Sequence, residues 1–241
     1  PLSESKEFLA LLSVMFLLCL SIFFMNHHLE TVLSQQVSLK KKHTIVIDAG
    51  HGGFDAGKVG VDGTLEKDIN LLIAKKLKTL LESADMNVIM IRTEDRGLYD
   101  ENSSNKKRQD MNSRALLMNE ANADCVISIH QNSYPEESID GAQVFYYTNS
   151  TEGQNLAALI QKSLITIVDP TNHRTEKSNN SYYLLKNVKA PIVIVECGFL
   201  SNWEESKKLV DDTYQQKLAW AIHLGILQYL NGVNANLHIS K

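Results

Sequence analysis

HTIVIDAGHGG (His43–Gly53) decides the fold. Ile45, Val46 and Ile47 follow one another with no polar alternation, so a strand here must be buried on both faces, and the glycines at 50, 52 and 53 turn the chain at its end. CVISIH (Cys125–His130) and PIVIVE (Pro191–Glu196) read the same way. NVIMIRT (Asn87–Thr93) and AQVFYY (Ala142–Tyr147) add two more strands, the last antiparallel because only a short loop separates it from His130. Between them, Ile69, Leu72, Ile73, Leu77, Leu80 and Leu81 recur at helical spacing, which predicts a helix over 66–83 with Thr64 as N-cap. Further helices are expected around Gln109–Asn122, along Leu156–Ile167, after a capping box at Ser201 and Glu204, and through Tyr229. Thr171–Ser181 and Glu94–Lys107 read as polar surface loops. Strands alternating with helices predict an α/β fold: a mostly parallel central sheet, flanked by helices on both faces, in one domain over residues 43–232 with a C-terminal tail at 233–241.

Upstream, Phe8 to Met25 form an uncharged apolar run, and we read residues 1–25 as a membrane segment, an uncleaved signal anchor in preference to a signal peptide, because no small-residue cleavage site follows. Residues 26–42 read as a polar linker. At 241 residues with 44% hydrophobic and 22% charged side chains, the remainder can bury one core and is neither disordered nor polytopic. A net charge of -4 argues against a nucleic-acid partner. Of the three cysteines, Cys19 lies in the apolar run, and Cys125 and Cys197 sit at strands where buried free thiols are the ordinary reading.

The chemistry is expected at the carboxyl ends of the strands, where ligands bind in open α/β sheets. Three strands lead to His51, His130 and Glu196. A lone histidine there is ordinarily a satisfied polar contact; three such ends together shift the balance. Glu196, carried out of an apolar sheet core, needs a partner, either an ion pair with a Lys or Arg or a metal-activated water whose proton it accepts. Glu66, in the first turn of its helix, has an ordinary explanation in the helix dipole. The glycine-rich loop 50–63 also allows that helix start to fold back beside His51 and His130, and two His with one Glu are a recognised ligand set for catalytic zinc with one position open. Asp48, Asp55 and Asp68 are competing carboxylates, of which Asp48 is expected to orient a ligand imidazole through its free N–H. Arg114 reads as a structural salt bridge more readily than as a substrate anchor.

IVIDAGHGG, LEKD, the Arg114–Asn132 stretch ending ADCVISIHQN, and APIVIVECGFLSN follow one another in an order and spacing that resemble the zinc-dependent N-acetylmuramoyl-L-alanine amidases of bacterial cell walls, over about residues 43–231. The resemblance implies a zinc-hydrolase-like fold, one Zn2+ per chain on His51, Glu66 and His130, and Glu196 as catalytic glutamate. It also implies peptidoglycan as substrate, cleaved between N-acetylmuramic acid and L-alanine at the extracytoplasmic face of the membrane. Gln131 and Cys197 depart from residues commonly small or apolar in that family. The short chain, with an apolar start and no wall-binding repeats, is most similar to the family's sporulation amidases, which serve muramic lactam formation in spore cortex. Two other readings stay open: a zinc peptidase of similar fold, and a membrane-tethered wall-binding module inactive until a partner protein orders Glu66 and the glycine-rich loop.

Overall fold

The structure, a computed structural model, describes residues 15–25 and 42–239, with side chains up to 232. The chain divides into two units, residues 1–42 and 43–241. In the first, residues 15–25 form a helix, α1. Among the described residues no helix is long and apolar enough to cross a membrane. The rest of the expected membrane segment (residues 1–14) and the expected linker, Lys42 aside, lie outside the described residues.

The second unit is built on a six-stranded sheet in the order β2-β1-β3-β6-β4-β5. Its strands are β1 (Thr44–Ala49), β2 (Asn87–Met90), β3 (Cys125–Asn132), β4 (Gln143–Tyr147), β5 (Lys177–Asn179) and β6 (Ile192–Phe199). The helices are α2 (Glu66–Ser83), α3 (Lys106–Glu120), α4 (Thr151–Ile167), α5 (Tyr183–Asn187), α6 (Trp203–Leu209) and α7 (Asp212–Ile239). β1, β2, β3 and β6 run parallel. The antiparallel strand is present, but β4 pairs with β6 and not with β3, and β5 continues that reversed edge. α7 runs on to Ile239, through most of the segment read as a tail.

Side chains alternate across the sheet, so each strand feeds two cores. Ile45, Ile47, Ile127, Ile129, Val193 and Val195 join α2, α4 and α7 in the larger one. Val46, Val126, Ile192 and Ile194 face the other way, against Ala115 and Met118 of α3 and Leu184 and Leu185 of α5. Both faces are therefore covered, as the uninterrupted apolar strands require.

Two helix starts differ from the expectation. Thr64 is not the cap of α2; Leu65 holds that position without a side-chain hydrogen bond. The first amides of α2 are taken by the glycine-rich loop instead, Glu66 N donating to Lys58 O and Lys67 N to Ala56 O. At α6 the cap is Asn202, which accepts from the amides of Glu204 and Glu205. Ser201 is freed to accept from Tyr134 N at 2.9 Å. Cys125 and Cys197 are buried free thiols, held protonated chiefly by that burial.

Candidate active site

His51 sits in the left-handed region, at φ 63°, in the turn that leaves β1. A non-glycine residue there needs outside support. Two buried guanidinium groups give it. Arg92, from the segment after β2, donates to Ala49 O at 2.8 Å and Gly50 O at 3.0 Å. Arg114, from α3 and 1% exposed, donates to Ala49 O at 3.1 Å and to His51 O at 2.6 Å. Arg114 is also paired with Asp48 at 2.5 Å and Asp110 at 2.6 Å, so it is a brace within the fold.

Asp48 does not orient an imidazole. It lies opposite Ser128 in the β1–β3 register and spends its carboxylate on Arg114 and on the Ser128 hydroxyl, 2.7 Å away. Asp55 does what was expected of Asp48, its Oδ2 lying 3.0 Å from His51 Nδ1. That contact leaves Nε2 facing inward. The hydrogen bond from His51 pulls the Asp55 carboxyl down to about 2. Burial pushes His51 down, but the bonds to Asp55 and Glu66 outweigh it and raise the imidazole to about 9. Asp68 keeps to the first turn of α2.

Glu66, 2% exposed, is brought to the strand ends by the same loop that caps its helix. Its Oε1 lies 3.2 Å from His51 Nε2 and 3.0 Å from His130 Nδ1, and it accepts from Gln131 N at 3.0 Å. Oε2 accepts from Lys58 N at 2.7 Å. Burial works against this charge, yet the hydrogen bonds from His130 and His51 hold Glu66 far below the usual carboxylate range. Close approach depends on glycine: a Cβ at Gly50 would overlap the His130 ring, and one at Gly57 would press on Glu66 and His51.

His51, Glu66 and His130 each offer one ligand atom, all within 4.8 Å of one another. Tetrahedral zinc with bonds of about 2.0–2.2 Å spaces its ligand atoms roughly 3.3 Å apart, close to the separations from Glu66. Two imidazoles and a carboxylate therefore fit a divalent metal in both donor type and spacing. His130 pairs in register with Glu196 across β3 and β6, which sets the two side chains next to each other on one face. Glu196 is 8% exposed, and its Oε2 is buried with no hydrogen-bond partner. No Lys or Arg pairs with it among the described residues, so the ion-pair alternative has no support. Burial, with help from the Glu66 charge, pushes its carboxyl up to about 7.

His51, His130 and Glu196 line a cavity of about 320 Å³ that continues past Lys107 and Met111 of α3 to Tyr182, Leu184 and Ile194. Three supports were not foreseen. Gln131 donates through Nε2 to Asn70 Oδ1, and Asn70 donates to Gly50 O, so the departure from the family pattern at 131 lies in a buried network behind Glu66. Arg92 was visible only as the end of a strand-like run. Asn70, in the second turn of α2 and buried, was with the departure at Gln131 the signal in the sequence for that network.

Residues 45–228 match the family model described as N-acetylmuramoyl-L-alanine amidase. The germination-specific N-acetylmuramoyl-L-alanine amidase of Bacillus subtilis is 39% identical over 188 residues, covering 77% of this chain and 78% of that protein. Among solved structures, the CwlD amidase from Clostridioides difficile in complex with the GerS lipoprotein superposes with a TM-score of 0.77 at 42% identity, over 79% of this chain and 99% of that one. An N-acetylmuramoyl-L-alanine amidase from Clostridium difficile 630 gives 0.71 at 33% identity, over 80% and 98%.

Proposed function

The chain belongs to the N-acetylmuramoyl-L-alanine amidase family and acts on peptidoglycan, and from that premise we propose that His51, Glu66 and His130 hold one Zn2+ and that Glu196 manages the proton. The observation that supports this most is the convergence of His51 Nε2 and His130 Nδ1 on a single Glu66 oxygen, beside a Glu196 oxygen that is buried without a partner. Zinc bound there would polarise the scissile carbonyl and make a nucleophile available near neutral pH. Asp55 holds the His51 ring through Nδ1, which turns Nε2 toward Glu66, where it would bind the metal on losing its proton. Glu196, with a carboxyl near neutrality, takes the proton of the attacking water and passes it to the departing amine of L-alanine. The products are a free stem peptide and a muramic acid carboxylate.

The substrate places this chemistry outside the cytoplasmic membrane, and the apolar N-terminal run is the proposed anchor. Similarity to a germination-specific amidase supports a place in spore cortex maturation, where stripping stem peptides prepares muramic acid for lactam formation. The lipoprotein bound to the relative from Clostridioides difficile supports an activating partner of that kind here.

Elemental analysis and product analysis on purified peptidoglycan test the reading together. Wild type and Glu196→Gln are expected to carry about one zinc each, with stem-peptide release falling on the order of 10²–10⁴-fold in the variant. Shortened peptides in place of intact ones would mean a peptidase. Wall binding without zinc or products, with or without a lipoprotein partner, would leave only the binding-module reading.

A further inference from the structure

The scissile amide hangs from a sugar by a short lactyl ether, so a pyranose must rest on the protein close to Glu196 and the His51–Glu66–His130 cluster. That sugar belongs to a polymer. A glycan strand continues in both directions and has to lie across an open rim, whereas a stem peptide ends after a few residues and can enter a bounded cavity such as the one of about 320 Å³ beside Glu196.

The turn between His51 and Asp55, both of which line that cavity, carries Phe54, which is 55% exposed. It immediately precedes Asp55, the carboxylate that orients His51. Such a side chain normally finds cover or moves freely; this one is held outward by its surroundings. Its amide donates to the Tyr99 hydroxyl at 3.0 Å, and its ring meets the Tyr99 ring edge to face at 5.0 Å. Gly52 and Asp55 close a backbone bridge around it, and Gly53 N donates to Asp95 Oδ1 at 2.8 Å. Lys67 Nζ ties that carboxylate to Gly53 O. Tyr99 is itself seated between Gly53 and Gly97, where any Cβ would collide with it.

We propose that Phe54, braced by Tyr99, is a stacking platform for a sugar ring of the glycan strand. The axial C–H face of a pyranose is apolar and flat, and an aromatic ring held in the same turn as His51 and Asp55 binds it with little ordering cost. The proposal rests on the amidase reading of the neighbouring site and deepens it by giving the two arms of the substrate separate places.

The test uses the full chain, a peptide-free N-acetylglucosamine tetramer as probe, and peptidoglycan as substrate, in wild type, Phe54→Ala, Phe54→Trp and Tyr99→Phe. Phe54→Ala is expected to weaken tetramer binding and raise the peptidoglycan KM roughly tenfold, the loss expected for uncovering one sugar face, with kcat within about twofold. Phe54→Trp restores both, and Tyr99→Phe falls between. Wild-type KM and tetramer affinity in Phe54→Ala, with stem peptides still released, would overturn the platform and leave the amidase reading standing. Phe54-dependent tetramer binding by a wild type that releases no stem peptides would do the reverse.

Discussion

Asp48 shows how much of this site is settled away from the ligands. Burial pushes its carboxyl up, but the Arg114 charge, the Ser128 hydroxyl and His130 pull it down further, so it stays below the usual carboxylate range. A carboxyl with a lowered folded pKa stabilises the fold fully above its unfolded value, near 3.8, and loses that contribution as pH falls through the folded value. Asp48→Asn should therefore cost about 3 kcal/mol at pH 7, the lower end for breaking a buried pair because Asp110 still partners Arg114. The gap to wild type should narrow as pH falls below 3.8 and toward the lowered folded value. Urea denaturation of both proteins at pH 7 and pH 2.5 measures it, and an equal gap at both would show that the charge on Asp48 is not what stabilises.

At the scale of elements, the close fit of α7 on α4 is the exposed point. A Cβ at Gly225 would come within 2.6 Å of the Ile160 Cα, which is backbone and cannot swing away. Gly225→Ala is expected to lower stability by about 1–3 kcal/mol by levering the helices apart, with zinc content unchanged, because α7 supplies nothing to the His51 cluster. A wild-type denaturation midpoint would mean the pair has slack. The same scale shows what the residues disclosed. β1, β3 and β6 were legible because uniform Ile and Val runs have no use except in a sheet covered twice, and α2 because its Ile and Leu spacing is helical. His51, Glu66, His130 and Glu196 could be named because they sit at the ends of those elements, and the fold does gather them. β5 and α5 were hidden: Lys177–Asn179 is a polar edge strand of three residues with no alternation, and Tyr183–Asn187 is barely one turn. The helix caps slipped because Thr64 and Ser201 each stand beside groups that bond the helix start better, a choice made by loop geometry. Asp48 was misassigned for a similar reason, since only the register with β3 shows that it turns toward Ser128 and Arg114.

For the whole molecule, residues 43–241 form a compact unit by themselves. A chain cut to that span should unfold in one transition with the Tm of the full chain, as differential scanning calorimetry would show; a lower Tm would mean the first 42 residues contribute to the fold. Within this unit the turn bearing His51 depends on Arg92 and Arg114, which lie far downstream in the chain. Its backbone carbonyls have no grip until β2 and α3 have docked, and His130 and Glu196 come later still. The pocket proposed to hold the metal is thus a late product of synthesis. An emerging chain would offer the proposed zinc ion no preformed cage, so the ion would not guide early folding or rescue a truncated product. On the proposed reading, a metal would be loaded only into the completed domain.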